Sequence, residues 1–327
     1  MDRVLAWLFK QVEVAPEYLA SRCLAVKGTG CDACAVACPH EAITIRRHVV
    51  IDQVDCTGCG ICVDVCPSGA LEPRGHAPAG SRMRCSLVEG DASSVICLAR
   101  LAPTDLLRAA EADGSLLLAR GACATCTIAD ASVPERVEAT IGRARGLADA
   151  VGRPLDVRLE ERERLDHDSP ERQLSRRELL RTSGEGARRA AAGALAPLER
   201  LAGDDATSAA PLPIAWRDTL QALRAADLPP EALVPARLPR LEPGCILCPS
   251  CTRACPTDAL TRVFEEGGGV VLRLDPERCV GCDACMEVCP VDVVRMDDTV
   301  TWGELQGGTV TLASNGAKGP PPGGVTR

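Results

Sequence analysis

The chain has 327 residues, enough for two or three domains, and its 37 basic and 45 acidic side chains give a formal charge of −8. This balance argues against binding to duplex nucleic acid, and three Trp, one Tyr and two Phe leave few platforms for stacking single-stranded bases. The sequence contains no apolar run of about 18 residues, the length of a membrane span, and its start lacks the pattern of a signal peptide. We therefore expect a cytoplasmic protein without a membrane span.

Cysteine dominates the interpretation, with twenty copies. In a reducing cytoplasm this number is more typical of metal ligands than of disulfides. After an N-terminal helix expected over residues 1–22, a Cys-x2-Cys-x2-Cys-x3-Cys-Pro motif occurs at Cys56, Cys59, Cys62 and Cys66. A degenerate copy precedes it, at Cys31, Cys34 and Cys38. Gly28 stands at the first position of that copy, and the nearest spare thiol is Cys23.

The complete motif recurs twice near the C-terminus, at Cys245, Cys248, Cys251 and Cys255 and at Cys279, Cys282, Cys285 and Cys289. Between the two motifs of each pair, β-branched and apolar residues flank a polar or glycine-rich tip. This pattern predicts one hairpin within residues 42–52 and another within residues 259–275. Zinc sites use isolated Cys-x2-Cys pairs rather than this longer run, so the spacing favours iron–sulfur binding.

Segments 23–73 and 243–298 both resemble the bacterial ferredoxin with two [4Fe–4S] clusters, and we place the two modules at 23–79 and 243–300. In that family, three cysteines of one motif and the last cysteine of its partner hold each cluster. The resemblance implies four [4Fe–4S] clusters. Their ligands would be Cys56, Cys59, Cys62 and Cys38; Cys31, Cys34, Cys66 and a fourth ligand; Cys245, Cys248, Cys251 and Cys289; and Cys279, Cys282, Cys285 and Cys255.

The fourth ligand of the second set is open. Cys23 is available, and the glycine-rich loop Lys27–Gly30 would allow the chain to bring it back to the cluster. The alternatives are a [3Fe–4S] cluster that lacks this corner and a non-protein ligand.

Residues 80–160 are predicted to form a small α/β unit. Apolar runs predict strands at 95–97, 115–119 and 156–159, and two helices are expected near 105–112 and 133–151. The alternation indicates a parallel sheet, with Cys97 and Cys123 at the carboxyl ends of adjacent strands, where such sheets bind ligands.

This middle segment resembles the iron–sulfur-binding delta subunit of methyl-viologen-reducing hydrogenases, although it lacks that family's longer sequence at the cysteine pair. The resemblance rests on a strand-end cysteine, a helix, and a second strand that leads to the pair Cys123 and Cys126. We treat Cys85, Cys97, Cys123 and Cys126 as candidate ligands of an additional [2Fe–2S] cluster or zinc ion. The alternatives are a redox-active dithiol and buried cysteines that act as small apolar residues.

The expected fold is α+β: two ferredoxin-like dicluster modules flank the small α/β unit. A charged, Pro/Ala/Arg-rich linker is expected over 161–242 and a flexible tail over 301–327.

The sequence predicts an electron carrier rather than an enzyme. It contains no Ser/His/Asp set, no phosphate-binding glycine loop and no dinucleotide motif. We expect it to relay single electrons through four [4Fe–4S] clusters between a redox donor protein and an acceptor protein. The alternatives are an electron-transfer subunit of a larger oxidoreductase complex and an iron–sulfur redox sensor.

Overall fold

A computed structural model describes residues 14–75, 77–163, 211–266 and 268–315. Most of the helix expected over 1–22 lies outside these ranges, and within them Glu17–Tyr18 forms a short strand, β1. In the described ranges, no helix has the length and apolar character needed to cross a membrane.

The first dicluster module is a small unit built around two hairpin strands. After β1 come α1 (Ala33–Val36), β2 (Ile43–Ile45), β3 (Val49–Ile51), α2 (Ile61–Asp64) and β4 (Leu71–Glu72). The predicted hairpin is confirmed, because Ile43 pairs with Ile51 across β2 and β3. β4 returns to pair antiparallel with β1, which closes the module.

The middle unit is a parallel sheet covered by helices. Its elements are β5 (Arg82–Cys85), β6 (Ser93–Val95), α3 (Pro103–Ala109), β7 (Ser115–Arg120), α4 (Val133–Ala150) and β8 (Asp156–Glu161). All strand pairs are parallel, in the order β6-β5-β7-β8. One face of α4 is buried at helical spacing, through Val133, Val137, Ile141, Ala144 and Leu147.

The order of this sheet corrects one expectation. β5 lies between β6 and β7, so the strands that precede Cys97 and Cys123 are not adjacent. Sequence reasoning missed β5 because Met83 is its only fully buried apolar residue, flanked by the arginines Arg82 and Arg84. A strand with so few apolar positions gives almost no periodic signal.

The second dicluster module extends beyond its predicted boundaries. Its elements are α5 (Ile214–Ala225), β9 (Leu233–Val234), β10 (Leu238–Leu241), α6 (Ser250–Ala254), β11 (Leu260–Phe264), β12 (Val270–Leu274), α7 (Ala284–Glu287), β13 (Val294–Asp297), β14 (Val300–Thr301), α8 (Trp302–Gln306) and β15 (Val310–Ser314). The predicted hairpin is confirmed as β11 and β12. β9 and β10 come from the expected linker and pair with β14 and β13, and β15 comes from the expected tail and pairs with β12. The rest of the expected linker and tail, 164–210 and 316–327, lies outside the described residues.

Helix α5, also in the expected linker range, contacts all three units. The backbone N–H of Ile214 donates to the Glu72 carboxylate of the first module at 2.8 Å. Asp218 forms an ion pair with Arg108 of the middle unit at 2.6 Å. The Trp216 Nε1–H donates to a carbonyl of the second module, that of Glu277, at 2.8 Å. This helix therefore fixes the three units relative to one another.

The two dicluster modules also meet directly. Leu24 of the first module is buried against Ala254 and Ala284 of the second, and Cys31 and Cys282 pack beside this contact. The contact brings cysteine motifs of both modules to the same interface.

Candidate metal centres

Each cysteine motif has the same local structure. If Gly28 is counted as the first position of the degenerate copy, the cysteine at the third position of every motif lies on one of the short helices α1, α2, α6 and α7. Each helix ends before the Cys-Pro step, since a residue that precedes proline disfavours the helical conformation. All twenty cysteines lie in the described residues and have free thiols. The motif thus turns its thiols toward a common space next to the helix.

The thiols of Cys23, Cys31, Cys34 and Cys66 line one cavity, which we call site 1. Burial, followed by the neighbouring thiols of Cys66 and Cys23, raises the pKa of Cys34 to about 11. The structure therefore brings the spare thiol Cys23 to the three thiols of the degenerate motif pair. Cys23 and Cys245 occupy equivalent positions in the two modules. Cys23 follows β1, which pairs with β4, and Cys245 follows β10, which pairs with β13.

The thiols of Cys38, Cys56, Cys59 and Cys62 line a second cavity, site 2. Burial, and then the thiols of Cys59, Cys56 and Cys38, raises the pKa of Cys62. This is the set that the ferredoxin resemblance implied, with the last cysteine of the degenerate motif crossing to the complete motif.

A third cavity in the middle unit, site 3, is lined by Cys85, Cys97, Cys123 and Cys126. Burial raises the pKa of Cys97 to about 12, and the thiols of Cys59 and Cys123 add to the rise. Site 3 therefore gathers the four middle cysteines from three separate loops and lies next to site 2.

In the second module, Cys255, Cys279, Cys282 and Cys285 line site 4. The remaining set, Cys245, Cys248, Cys251 and Cys289, is called site 5. Cys245, Cys251 and Cys289 pack against the core of the second module. Burial, with the thiols of Cys248 and Cys245, raises the pKa of Cys251 to about 11. Burial acts to raise the pKa of Cys289, but hydrogen bonds from the backbone N–H groups of Val293 and its neighbours hold that pKa below its usual value.

The fourth cysteine of two motifs accepts a backbone hydrogen bond at an equivalent place. The N–H of Ala70 donates to Cys66 Sγ, and the N–H of Ala259 donates to Cys255 Sγ, both at 3.2 Å. Hydrogen bonds of this kind favour the thiolate and help set the potential of a cluster bound there.

The chemistry of these donor sets fits iron–sulfur ligation. A thiol binds metal as the thiolate, and burial makes that charge costly without a cation. A bound cluster would supply the missing positive charge, and its ligation would then be coupled to folding. Among the described residues, no three His, Cys, Asp or Glu side chains are grouped as a site for one metal ion.

Contacts between sites 2 and 3 were not visible in the sequence. The Thr57 hydroxyl and the His40 Nε2–H both donate to the Ile128 carbonyl, at 2.6 and 3.0 Å. Thr57 and His40 line site 2, whereas Ile128 lines site 3. His40 is half-buried at this boundary. No local pattern could have revealed the contact, because 88 positions separate His40 from Ile128.

Comparison with protein families agrees with this geometry. Residues 27–70 and 244–293 each match the 4Fe-4S dicluster domain. The matched ranges exclude Cys23 and the four cysteines of site 3. No curated protein and no solved structure gives a significant match to the chain. Two copies of the dicluster domain on one chain support the conclusion that this is an iron–sulfur electron-transfer protein.

Proposed function

We propose that the protein relays electrons through four [4Fe–4S] clusters, bound at sites 1, 2, 4 and 5. A thiolate-ligated cluster accepts and releases single electrons when bound. Support comes from the grouping of the thiols: sites 1, 2 and 4 each gather four cysteines in the crossed arrangement of a dicluster ferredoxin. Cys23 is proposed as the fourth ligand of site 1, in preference to a [3Fe–4S] cluster or a non-protein ligand.

We further propose a fifth centre at site 3, formed by Cys85, Cys97, Cys123 and Cys126. Four thiols line one cavity there, as they do at sites 1, 2 and 4. Four cysteine ligands suit a [2Fe–2S] cluster, and zinc is the alternative that metal analysis would reveal.

The contacts between units support one continuous relay in the order site 3, site 2, site 1, site 4, site 5. Cys97 of site 3 and Cys59 of site 2 belong to the same buried cluster of side chains. At the other junction, Cys31 of site 1 and Cys282 of site 4 pack around the same Leu24 contact. This second junction is the observation that carries the proposal, because it places a cluster site of one module beside a cluster site of the other.

The order implies that partners act at the two ends, sites 3 and 5. The donor and the acceptor would be redox proteins. An electron-transfer subunit of an oxidoreductase complex would use the same internal path, with one end held permanently by the catalytic partner. Purification from the native host distinguishes the two arrangements, since a subunit copurifies at fixed stoichiometry.

The decisive experiment measures iron, acid-labile sulfide and zinc per chain in protein purified without air. Four cubane clusters give about sixteen iron and sixteen sulfide, and a [2Fe–2S] cluster at site 3 raises the iron to about eighteen. One zinc with about sixteen iron would assign zinc to site 3. About eight iron or fewer after reconstitution would contradict the ligand sets proposed here.

The Cys123→Ser/Cys126→Ser double variant tests the fifth centre separately. We expect it to lose about two iron while it retains the clusters of the dicluster modules. Unchanged metal content would remove site 3 from the proposal and favour a dithiol or structural cysteines.

A further inference from the structure

Sites 2 and 4 are equivalent positions of the two modules, and each has an arginine at the same place. Gly58 and Gly281 occupy the same position in their motifs, and both have a left-handed backbone, with φ of 73° and 65°. Arg100 Nη1 donates to the Gly58 carbonyl at 3.1 Å, and Arg237 Nη1 donates to the Gly281 carbonyl at 3.3 Å. The two arginines reach these carbonyls from unrelated parts of the chain, so the likeness is one of position and not of sequence.

The charge of Arg237 is compensated by carboxylates. Its Nη1 lies 2.9 Å from Asp283, and its Nε pairs with Asp298. The side chain of Arg237 is also 40% exposed. It does not appear among the residues that line the site 4 cavity. The net charge that this group presents to site 4 is therefore small.

Among the residues that the structure describes, no carboxylate compensates the charge of Arg100. Besides the Gly58 carbonyl, the guanidinium donates to the Arg74 carbonyl at 3.2 Å, and within the described residues no carboxylate forms an ion pair with it. Arg100 is half-buried and lines the site 2 cavity. Burial lowers the pKa of Arg100, against the opposing effect of the Cys56 and Cys59 thiols, which indicates a partly desolvated cation beside the ligands. Arginine keeps its proton in such surroundings.

A single position in the motif explains the difference. The residue after the second cysteine is Gly60 at site 2 and Asp283 at site 4, and both have a left-handed backbone. Asp283 supplies the carboxylate that pairs with Arg237. A Cβ at Gly60 would lie 2.4 Å from Arg100 Cγ and 2.8 Å from Arg100 Cα. Glycine at position 60 therefore offers no carboxylate to pair with Arg100, and its lack of a side chain leaves room for Arg100.

We propose that Arg100 raises the reduction potential of the cluster at site 2 above that of the equivalent cluster at site 4. Reduction makes a cluster more negative by one charge, and a nearby uncompensated cation stabilises the reduced form more than the oxidised form. The electron that completes this reduction comes from the redox donor protein of the proposed relay. The inference rests on the proposed function, because it requires clusters at both sites. Its consequence is that electrons occupy site 2 of the first module before site 4 of the second.

The test compares Arg100→Gln with Arg237→Gln in the full chain, by potentiometric titration monitored by electron paramagnetic resonance. Arg100→Gln should make the reduction equilibrium constant of one cluster about tenfold less favourable, which is about 59 mV for one electron. Arg237→Gln should shift every transition by much less, because Arg237 is 40% exposed and does not line the site 4 cavity, so solvent screens its charge. Arg100→Lys, which retains the positive charge, should keep the reduction potential of that cluster close to its value in the unsubstituted protein.

A second variant tests the same idea in the opposite direction. Asp283→Asn with Asp298→Asn leaves Arg237 without its counter-charges, and Asn tolerates the left-handed backbone of position 283. This double variant should raise the reduction potential of one cluster. That cluster must differ from the one whose potential Arg100→Gln lowers, and in the unsubstituted protein its potential must be the lower of the two.

Two outcomes would overturn the inference: unchanged potentials in Arg100→Gln with full iron content, or equal shifts in Arg100→Gln and Arg237→Gln. Iron and sulfide analysis of the unsubstituted protein separates this failure from that of the proposed function. Absence of iron at sites 2 and 4 contradicts the relay itself. Full iron content with unshifted potentials contradicts only the role of Arg100.

Discussion

Leu24 fills the contact between the two dicluster modules, and its truncation tests whether they form one unit. Its side chain is only 3% exposed, and the residues opposite it, Ala254 and Ala284, are buried and too small to fill the space that Leu24→Ala would leave. Both alanines lie on short helices held by cysteine motifs, so the walls of the space cannot collapse easily. A buried Leu→Ala substitution costs about 2–5 kcal/mol, and the rigid surroundings favour about 3 kcal/mol here. This cost would favour opening of the contact by about 150-fold.

Hydrogen exchange on the cluster-loaded full chain measures this opening directly. We expect the amides of α6 and α7 to lose protection in Leu24→Ala, while the middle sheet keeps its own. Val26→Ala is the matched control, because Val26 lies in the same loop but is 45% exposed, and a surface change of this kind alters stability by about 0.5 kcal/mol or less. If Leu24→Ala exchanges like the control, the modules are not held together by this contact and the relay order argued from it is wrong.

Three further predictions concern ligation and assembly. Cys23→Ser should lower the iron content by about one atom, or by about four if the cluster is lost, and unchanged spectra would exclude Cys23 as a ligand of site 1. Trp216→Phe removes the 2.8 Å hydrogen bond to the Glu277 carbonyl, so denaturant unfolding of the loaded protein should show a loss of about 1 kcal/mol. A loss within error would mean that the indole N–H does not help α5 to hold the second module. Iron chelation should unfold both dicluster modules, because ligating cysteines are part of their buried cores, and much of the folding free energy then comes from metal binding. Far-UV circular dichroism measures this, and a spectrum retained after complete iron removal would contradict the coupling.

The sequence was most informative where structure depends on neighbours along the chain. Three cysteines at three-residue spacing, followed by Cys-Pro, determine a loop and short helix whatever surrounds them, and this geometry explains sites 2 and 4. The hairpins β2–β3 and β11–β12 follow from β-branched residues around a polar or glycine tip. These features need only local conformational preferences, so no knowledge of distant residues was required to predict them.

Tertiary structure decided what lies between these local pieces. The return of Cys23 to site 1, the insertion of β5 between β6 and β7, and the pairing of β10 with β13 all join segments that are distant in sequence. Arg100 is the clearest case, since nothing in its local sequence relates it to Gly58, 42 positions away. Such contacts arise because packing of apolar faces brings separate segments together, and only then do their charges and carbonyls meet. The sequence by itself therefore determined which residues are candidate cluster ligands, whereas the packing of the units decided which of the sites are neighbours and which charges surround them.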